Sequence, residues 1–221
     1  MRRLPLTDHP DLRRRLLLQC GSTLIALPTL AARAAEAAVP AASAPTPAQT
    51  EGPFYPRVLP ADRDADLTQV VGRRGSARGT RLYLAGRVLG VDGAPAQRVA
   101  VELWQCDVHG RYHHAGDEGL PRDDDFQGFG ISVTDADGRF AFKTIRPVPY
   151  GGRPPHLHFR ITRGGKTALT TQLYVAGEAS DRDAVIAASP SGTLARLSIR
   201  LAPAPEREPG ALEAHYDFVL R

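Results

Sequence analysis

The sequence predicts an all-β protein, an antiparallel β-sandwich with one short helix and an extended N-terminal segment. Three observations carry that expectation. Short runs rich in Val, Leu, Ile, Thr and aromatic residues recur between residues 81 and 220, and several alternate side chains in the period of two that a strand requires. Turn-forming pairs separate them, at Asp92-Gly93, Asp137-Gly138 and Gly164-Gly165. A helical pattern is visible only over residues 180–188.

Taken in order, residues 1–34 read as an export signal peptide. Arg13-Arg14-Arg15 precedes Leu16-Leu17-Leu18, a modestly apolar stretch ends near Leu30, and Ala32-Arg33-Ala34 resembles a cleavage site. Twin arginines before a weakly hydrophobic stretch resemble a bacterial twin-arginine signal, with an ordinary secretory leader as the alternative. The mature protein is therefore expected in the periplasm or outside the cell. Gln19, Gly21, Ser22 and Pro28 interrupt the apolar stretch, which is too short to span a bilayer, so no stable membrane insertion is expected after signal removal.

The leader also explains the charge. The chain has 28 Lys and Arg against 24 acidic residues, and residues 1–34 hold six of the former and two of the latter. Residues 35–221 thus carry 22 of each, and nucleic acid is not expected as a partner, because phosphate binding needs clustered surplus cations. Cys20 lies in the leader and leaves Cys106 alone, so no disulfide staples the mature chain. Residues 35–49 are rich in Ala and Pro and read as a flexible tether. Residues 50–221 form the remaining domain. Phe54, Tyr55 and Pro56 open it as an ordered extended segment that borders the core or a pocket.

Strands are expected over residues 81–91, 99–105, 131–134, 139–145, 156–162, 168–175, 194–201 and 215–220. Within residues 139–145, Phe140, Phe142 and Thr144 fall on one face. The helix over 180–188 would start from a capping-box pattern of Ser180 and Asp183.

Chemistry concentrates in Tyr150-Gly151-Gly152-Arg153-Pro154-Pro155-His156-Leu157-His158-Phe159. On a strand His156 and His158 share a face while Leu157 and Phe159 share the other. Two neighbouring imidazoles are a natural chelate for iron, copper or zinc. Upstream, Gly110-Arg111-Tyr112-His113-His114 adds a second phenol at a strand end. Two phenols argue against zinc, which favours thiolates and imidazoles. A phenol with a pKa near 10 ionises at neutral pH only beside a strong cation, and two phenolates with one hydroxide would neutralise Fe(III). The bland readings place His109, His113 and His114 at the surface or behind the site, Trp104 in the core and Cys106 as a small buried thiol.

The stretch 110–114, the stretch 149–159 and Thr171-Gln172-Leu173-Tyr174-Val175-Ala176-Gly177-Glu178 together resemble intradiol ring-cleavage dioxygenases, the protocatechuate and catechol enzymes. The resemblance runs from about Thr50 to Tyr174. It implies a β-sandwich, Fe(III), O2 and a small catechol-type substrate opened between its hydroxyls to a cis,cis-muconate-type diacid. It also implies Tyr112, Tyr150, His156 and His158 as iron ligands, with Tyr150 exchanging as substrate binds. Arg153 would stabilise charge on the substrate ring, and Gln172 would line the pocket. The link between the second tyrosine and the histidines is shorter here than in those enzymes, and the chain lacks room for the helical dimerisation segment of the catechol type. Substrate identity and homo-oligomer formation therefore stay open. A non-catalytic exported β-sandwich binding module, transthyretin-like or carbohydrate-binding, is the alternative.

Overall fold

The computed structural model describes residues 44–180 and 182–221, so the leader and the first part of the tether lie outside the described residues. In chain order the elements are β1 (Arg81–Gly90), β2 (Ala100–Trp104), β3 (Phe129–Val133), β4 (Arg139–Ile145), β5 (His156–Arg163), β6 (Lys166–Val175), α1 (Ala184–Ala187), α2 (Thr193–Arg196), β7 (Ser198–Ile199), β8 (Ala202–Pro203), β9 (Leu212–His215) and β10 (Phe218–Leu220). They form two five-stranded sheets. One runs β10-β1-β9-β8 with β4 also paired to β1, and the other runs β3-β2-β5-β6-β7.

The expected sandwich is present, but its sheets are mixed. Strand β1 pairs in parallel with β9 and β10, and β6 with β7. Side-chain alternation reports that a strand has two faces and says nothing about the direction of its neighbour.

The inner faces meet in one apolar core. Leu82, Leu84 and Val88 of β1 and Phe140 and Phe142 of β4 contribute from one sheet. Val101 and Leu103 of β2, Leu157, Phe159 and Ile161 of β5, and Leu173 of β6 contribute from the other. Each such side chain, fully buried, stabilises the fold by roughly 1.5–3 kcal/mol. A single polar staple joins the ends of β2 and β4: buried Gln105 donates to the Ile145 carbonyl (3.2 Å) and accepts from Thr144 Oγ1 (2.7 Å).

Several expectations are corrected. Residues 194–201 are not one strand. Thr193–Arg196 is helical, and only Ser198–Ile199 pairs, with Tyr174 and Val175 of β6. Leu194, Leu197 and Leu201 are spaced three and four apart, so their pattern fits a helical turn as well as a strand. The helix expected over 180–188 shrinks to Ala184–Ala187. Its N-cap is Asp183 itself, whose carboxylate accepts from the Val185 and Ile186 N–H groups at 3.0 Å each. The described residues therefore hold two short helices, not one. The strand expected over 215–220 divides into β9, which begins at Leu212, and β10.

Residues 44–49 of the expected tether instead dock on the sandwich. Thr46 exchanges hydrogen bonds with Val219 (2.9 Å each), the Gln49 N–H donates to the Thr170 carbonyl (2.9 Å), and Thr171 Oγ1 donates to the Pro47 carbonyl (2.7 Å). This docking uses backbone groups along strand edges, which an Ala/Pro-rich composition does not reveal. Among the described residues, no helix is long and apolar enough to cross a membrane.

Candidate metal centre

The site is built on the outer face of the second sheet, on strand β5. Because Leu157 and Phe159 are fixed in the core, His156 and His158 must point the other way. Register then supplies their neighbours. Trp104 of β2 and Gln172 of β6 stand opposite His158, and Tyr174 stands opposite His156. The indole stacks on the His158 ring (centroids 5.0 Å, planes 17° apart). Trp104 is thus both buried and part of the wall.

The four residues expected as ligands converge. His156 Nε2 lies 3.1 Å from His158 Nε2. The Tyr150 ring is 5.3 Å from that of His156, the Tyr112 ring 5.9 Å from that of His158, and the two phenol rings are 5.0 Å apart, centroid to centroid. Relative exposure is 2% for Tyr112, 1% for His156 and 2% for His158, whereas Tyr150 is half-buried.

Local structure explains each placement. Tyr150 and Arg153 bracket a two-residue turn: the Arg153 N–H donates to the Tyr150 carbonyl (2.7 Å) and the Tyr150 N–H to that of Arg153 (3.2 Å). Gly151 and Gly152 both have positive φ, 52° and 78°, the signature of the turn type that other residues resist. Tyr112 hangs from a loop organised by two carboxylates. Buried Asp107 accepts from the N–H groups of His109 (2.8 Å), Arg111 (3.1 Å) and Asp123 (2.8 Å), and Asp117 accepts from the Tyr112 N–H (2.7 Å).

The N-terminal segment closes the site. Phe54 stacks on Tyr112 (4.8 Å, 24°). Gly52, with φ of 74°, passes so close that an added Cβ would stand 3.2 Å from His158 Cε1. The segment is pinned by Glu51 pairing with Arg160, by the Tyr55 hydroxyl donating to Glu102 Oε2 (2.8 Å), and by the Arg160 guanidinium lying 3.6 Å from the Tyr55 ring centroid.

Electrostatics favour neutral imidazoles and protonated phenols in the protein alone. Burial, aided by the nearby Arg153 charge, pushes His156 down to about 4. Burial, and then the adjacent His156, holds His158 well below its ordinary value. Burial raises Tyr112 well above the usual phenol range and raises Tyr150 as well. The His156 tautomer is set by structure. Its Nδ1 lies 2.6 Å from the Pro154 carbonyl, which can only accept, so the proton is on Nδ1 and the lone pair on Nε2.

This donor set fits a metal. The Tyr112 hydroxyl is buried with no hydrogen-bond partner, its ring is edge-on to that of His158, and His158 Nε2 lies 3.1 Å from the His156 nitrogen that carries a lone pair. A cation would satisfy the hydroxyl oxygen and could take the His156 lone pair, and it would lower the cost of ionising a phenol that burial otherwise forbids. Among the described residues no three His, Cys, Asp or Glu side chains gather around a point, so a metal held here would need the phenols as well. Burial pushes the Cys106 thiol up to about 12, and its Sγ faces the Val148 carbonyl (3.7 Å), so it stays a thiol outside the set.

Comparison with known proteins now decides the family. The family model described as Dioxygenase matches residues 50–221. The chain is 36% identical over 168 residues to a protocatechuate 3,4-dioxygenase beta chain of Burkholderia cepacia, covering 72% of each. This chain belongs to the intradiol ring-cleavage dioxygenase family.

Other dioxygenases agree. A catechol 1,2-dioxygenase of Acinetobacter lwoffii is 32% identical over 152 residues, 60% of this chain and 52% of that one. The chain thus spans about half the length of that relative. Among solved structures, the dioxygenase domain of a dioxygenase–carbohydrate-binding fusion from Streptomyces sp. SirexAA-E superposes with a TM-score of 0.61 at 32% identity, over 80% of this chain and 98% of that one. These relatives are enzymes, and the binding-module alternative is not favoured.

Arg153 and Gln172, the other two expected site residues, lie beside the same cluster. Arg153 Nη1 lies 3.1 Å from His156 Nε2 and 2.9 Å from Gln172 Oε1, while Gln172 Nε2 donates to the Thr50 carbonyl (2.9 Å). Sequence reasoning missed Tyr174 and Asp183, both bonded to Arg153. Tyr174 had a signal, because it lies two residues from Gln172 on the same strand face. Asp183 had none, being thirty residues from its partner.

Proposed function

We propose that this protein is an Fe(III) intradiol dioxygenase that opens a catechol-type aromatic between its two hydroxyls, adding both atoms of O2 to give a cis,cis-muconate-type diacid. The convergence of two phenols and two imidazoles around one buried point carries the reading. Tyr112, Tyr150, His156 and His158 would hold the iron. Bound there, ferric iron would supply Lewis acidity and redox access to the ring and O2.

The chain's own residues do the rest. Tyr150 is half-buried where Tyr112 is sealed, so it is the phenol that a substrate reaches, and once ionised beside the metal its phenolate oxygen would take a proton from a catechol hydroxyl. Arg153, paired with Asp183, places positive charge where the ring becomes electron-rich. Phe54 and Trp104 wall the two sides and exclude water.

The test is an oxygen-uptake assay on iron-loaded protein with a panel of catechols, with products followed by their ultraviolet spectra. A red-brown tyrosinate-to-iron absorption and uptake with at least one catechol are expected. Tyr150→Phe should keep iron and slow turnover. A colourless iron-loaded protein, or one that consumes no O2 with any catechol, overturns the reading.

The leader supports a second element of the proposal, export through the twin-arginine route. A folded reporter fused after residue 49 should leave the cytoplasm, and replacing Arg13, Arg14 and Arg15 by Lys should retain it. Undiminished export of the substituted leader would exclude that route.

A further inference from the structure

The guanidinium of Arg153 is held on every side. Its Nε–H donates to Asp183 Oδ2 (2.8 Å), and one Nη2–H donates to Asp183 Oδ1 (3.1 Å), a bidentate pair. The other Nη2–H donates to Tyr174 Oη (3.1 Å) and one Nη1–H to Gln172 Oε1 (2.9 Å). The last Nη1–H faces His156 Nε2 (3.1 Å). A guanidinium has five N–H donors, and all five are used.

The five are not equivalent. Four end on groups that keep their acceptor capacity whatever the site holds. The fifth ends on the lone pair that a metal would take. Occupation of the site therefore releases one donor of Arg153, and that donor already points into it.

Asp183 is built to hold the other end. Its side chain is 3% exposed, and the same carboxylate that grips Arg153 caps helix α1 through the Val185 and Ile186 N–H groups. Burial pushes the carboxyl up, but Arg153 and the helix N–H groups outweigh it and leave it below its ordinary value. The anion is thus fixed by backbone on one side and orients the cation on the other.

We propose that Asp183 is the positioning residue for Arg153, clamping its Nε and Nη2 edge so that a single Nη1–H is presented to the substrate ring at the metal. The kinetic half of this inference rests on the catechol reading. The clamp itself does not.

The test separates clamp from cap. Asn caps helices as well as Asp does, so Asp183→Asn keeps α1 and removes the charged grip, whereas Asp183→Ala removes both. On iron-loaded protein, Asp183→Asn should retain iron content and the charge-transfer band and bind catechol under anaerobic conditions within about threefold of wild type, while kcat falls about 10- to 100-fold. Asp183→Glu should recover part of the loss. In metal-free protein, nitrogen-15 NMR should show a slowly exchanging Arg153 Nε–H that becomes fast in Asp183→Asn, a readout independent of substrate. A fast Nε–H in the wild type overturns the clamp even if catechol is cleaved. Wild-type kcat in Asp183→Asn, with only Asp183→Ala losing stability, reduces Asp183 to a helix cap and overturns the proposal.

Discussion

The two faces of strand β5 are equally dry and chemically opposite. On one, Leu157, Phe159 and Ile161 are fully buried in the sandwich core; on the other, His156 and His158 are buried almost as completely against Trp104, Gln172 and Tyr174. Burial on the inner face stabilises the fold by itself. Burial on the outer face costs stability, because the Tyr112 hydroxyl and His158 Nδ1 lack partners there. One strand thus helps to build both the fold's support and a part of its cost. The lesson is that stability and metal binding should be separable, residue by residue, along a single strand.

The sharpest way to break this comparison is His158→Ala. Iron should be lost altogether and catechol cleavage with it, while the metal-free protein unfolds at wild-type denaturant concentration or slightly above. Iron per chain and a urea melt check both halves, and a collapse of the metal-free fold would refute the separation. Phe159→Ala is the mirror image. It should destabilise metal-free protein by about 3–5 kcal/mol, read from urea unfolding, yet the fraction that remains folded should still take up iron.

Gly52→Ala probes the covering segment. The added methyl meets His158 at 3.2 Å in a backbone region that side chains resist, and it should cost ~1–2 kcal/mol and speed iron loss to a chelator. Iron release at the wild-type rate would show that the segment does not press on the site.

The remaining test is of pH dependence. His156 is held at about 4 in the fold against 6.5 when free, so the unfolded chain binds its proton first as pH falls. Metal-free stability should therefore decline from near pH 6.5 to about pH 4, by this residue's share, and then level. Urea midpoints across that range should fall less steeply for His156→Asn than for wild type.

What the sequence revealed follows from what short-range pattern can encode. The His-x-His spacing dictates a shared face on any strand, and the flanking Leu157 and Phe159 say which face is core, so the site's floor was legible. So was the β5–β6 hairpin, because Gly164-Gly165 announces a turn with positive φ. Strand direction was not, since β9 and β10 run parallel to β1 through connections that alternation does not record. The docking of residues 44–49 was hidden because backbone groups and scattered Thr and Gln side chains, far apart in sequence, perform it. Asp183 was read as one member of a capping box, and its grip on Arg153 emerges only when β6 and α1 bring position 183 back to the sheet.

The turn at Gly151-Gly152 has one more consequence. On the proposed reading, a backbone movement that freed the Tyr150 phenol would be passed to Arg153 through the paired hydrogen bonds of their shared turn. Inserting residues there would give each its own lever arm. At its present length, the loop would gear release of one group to the posture of the other.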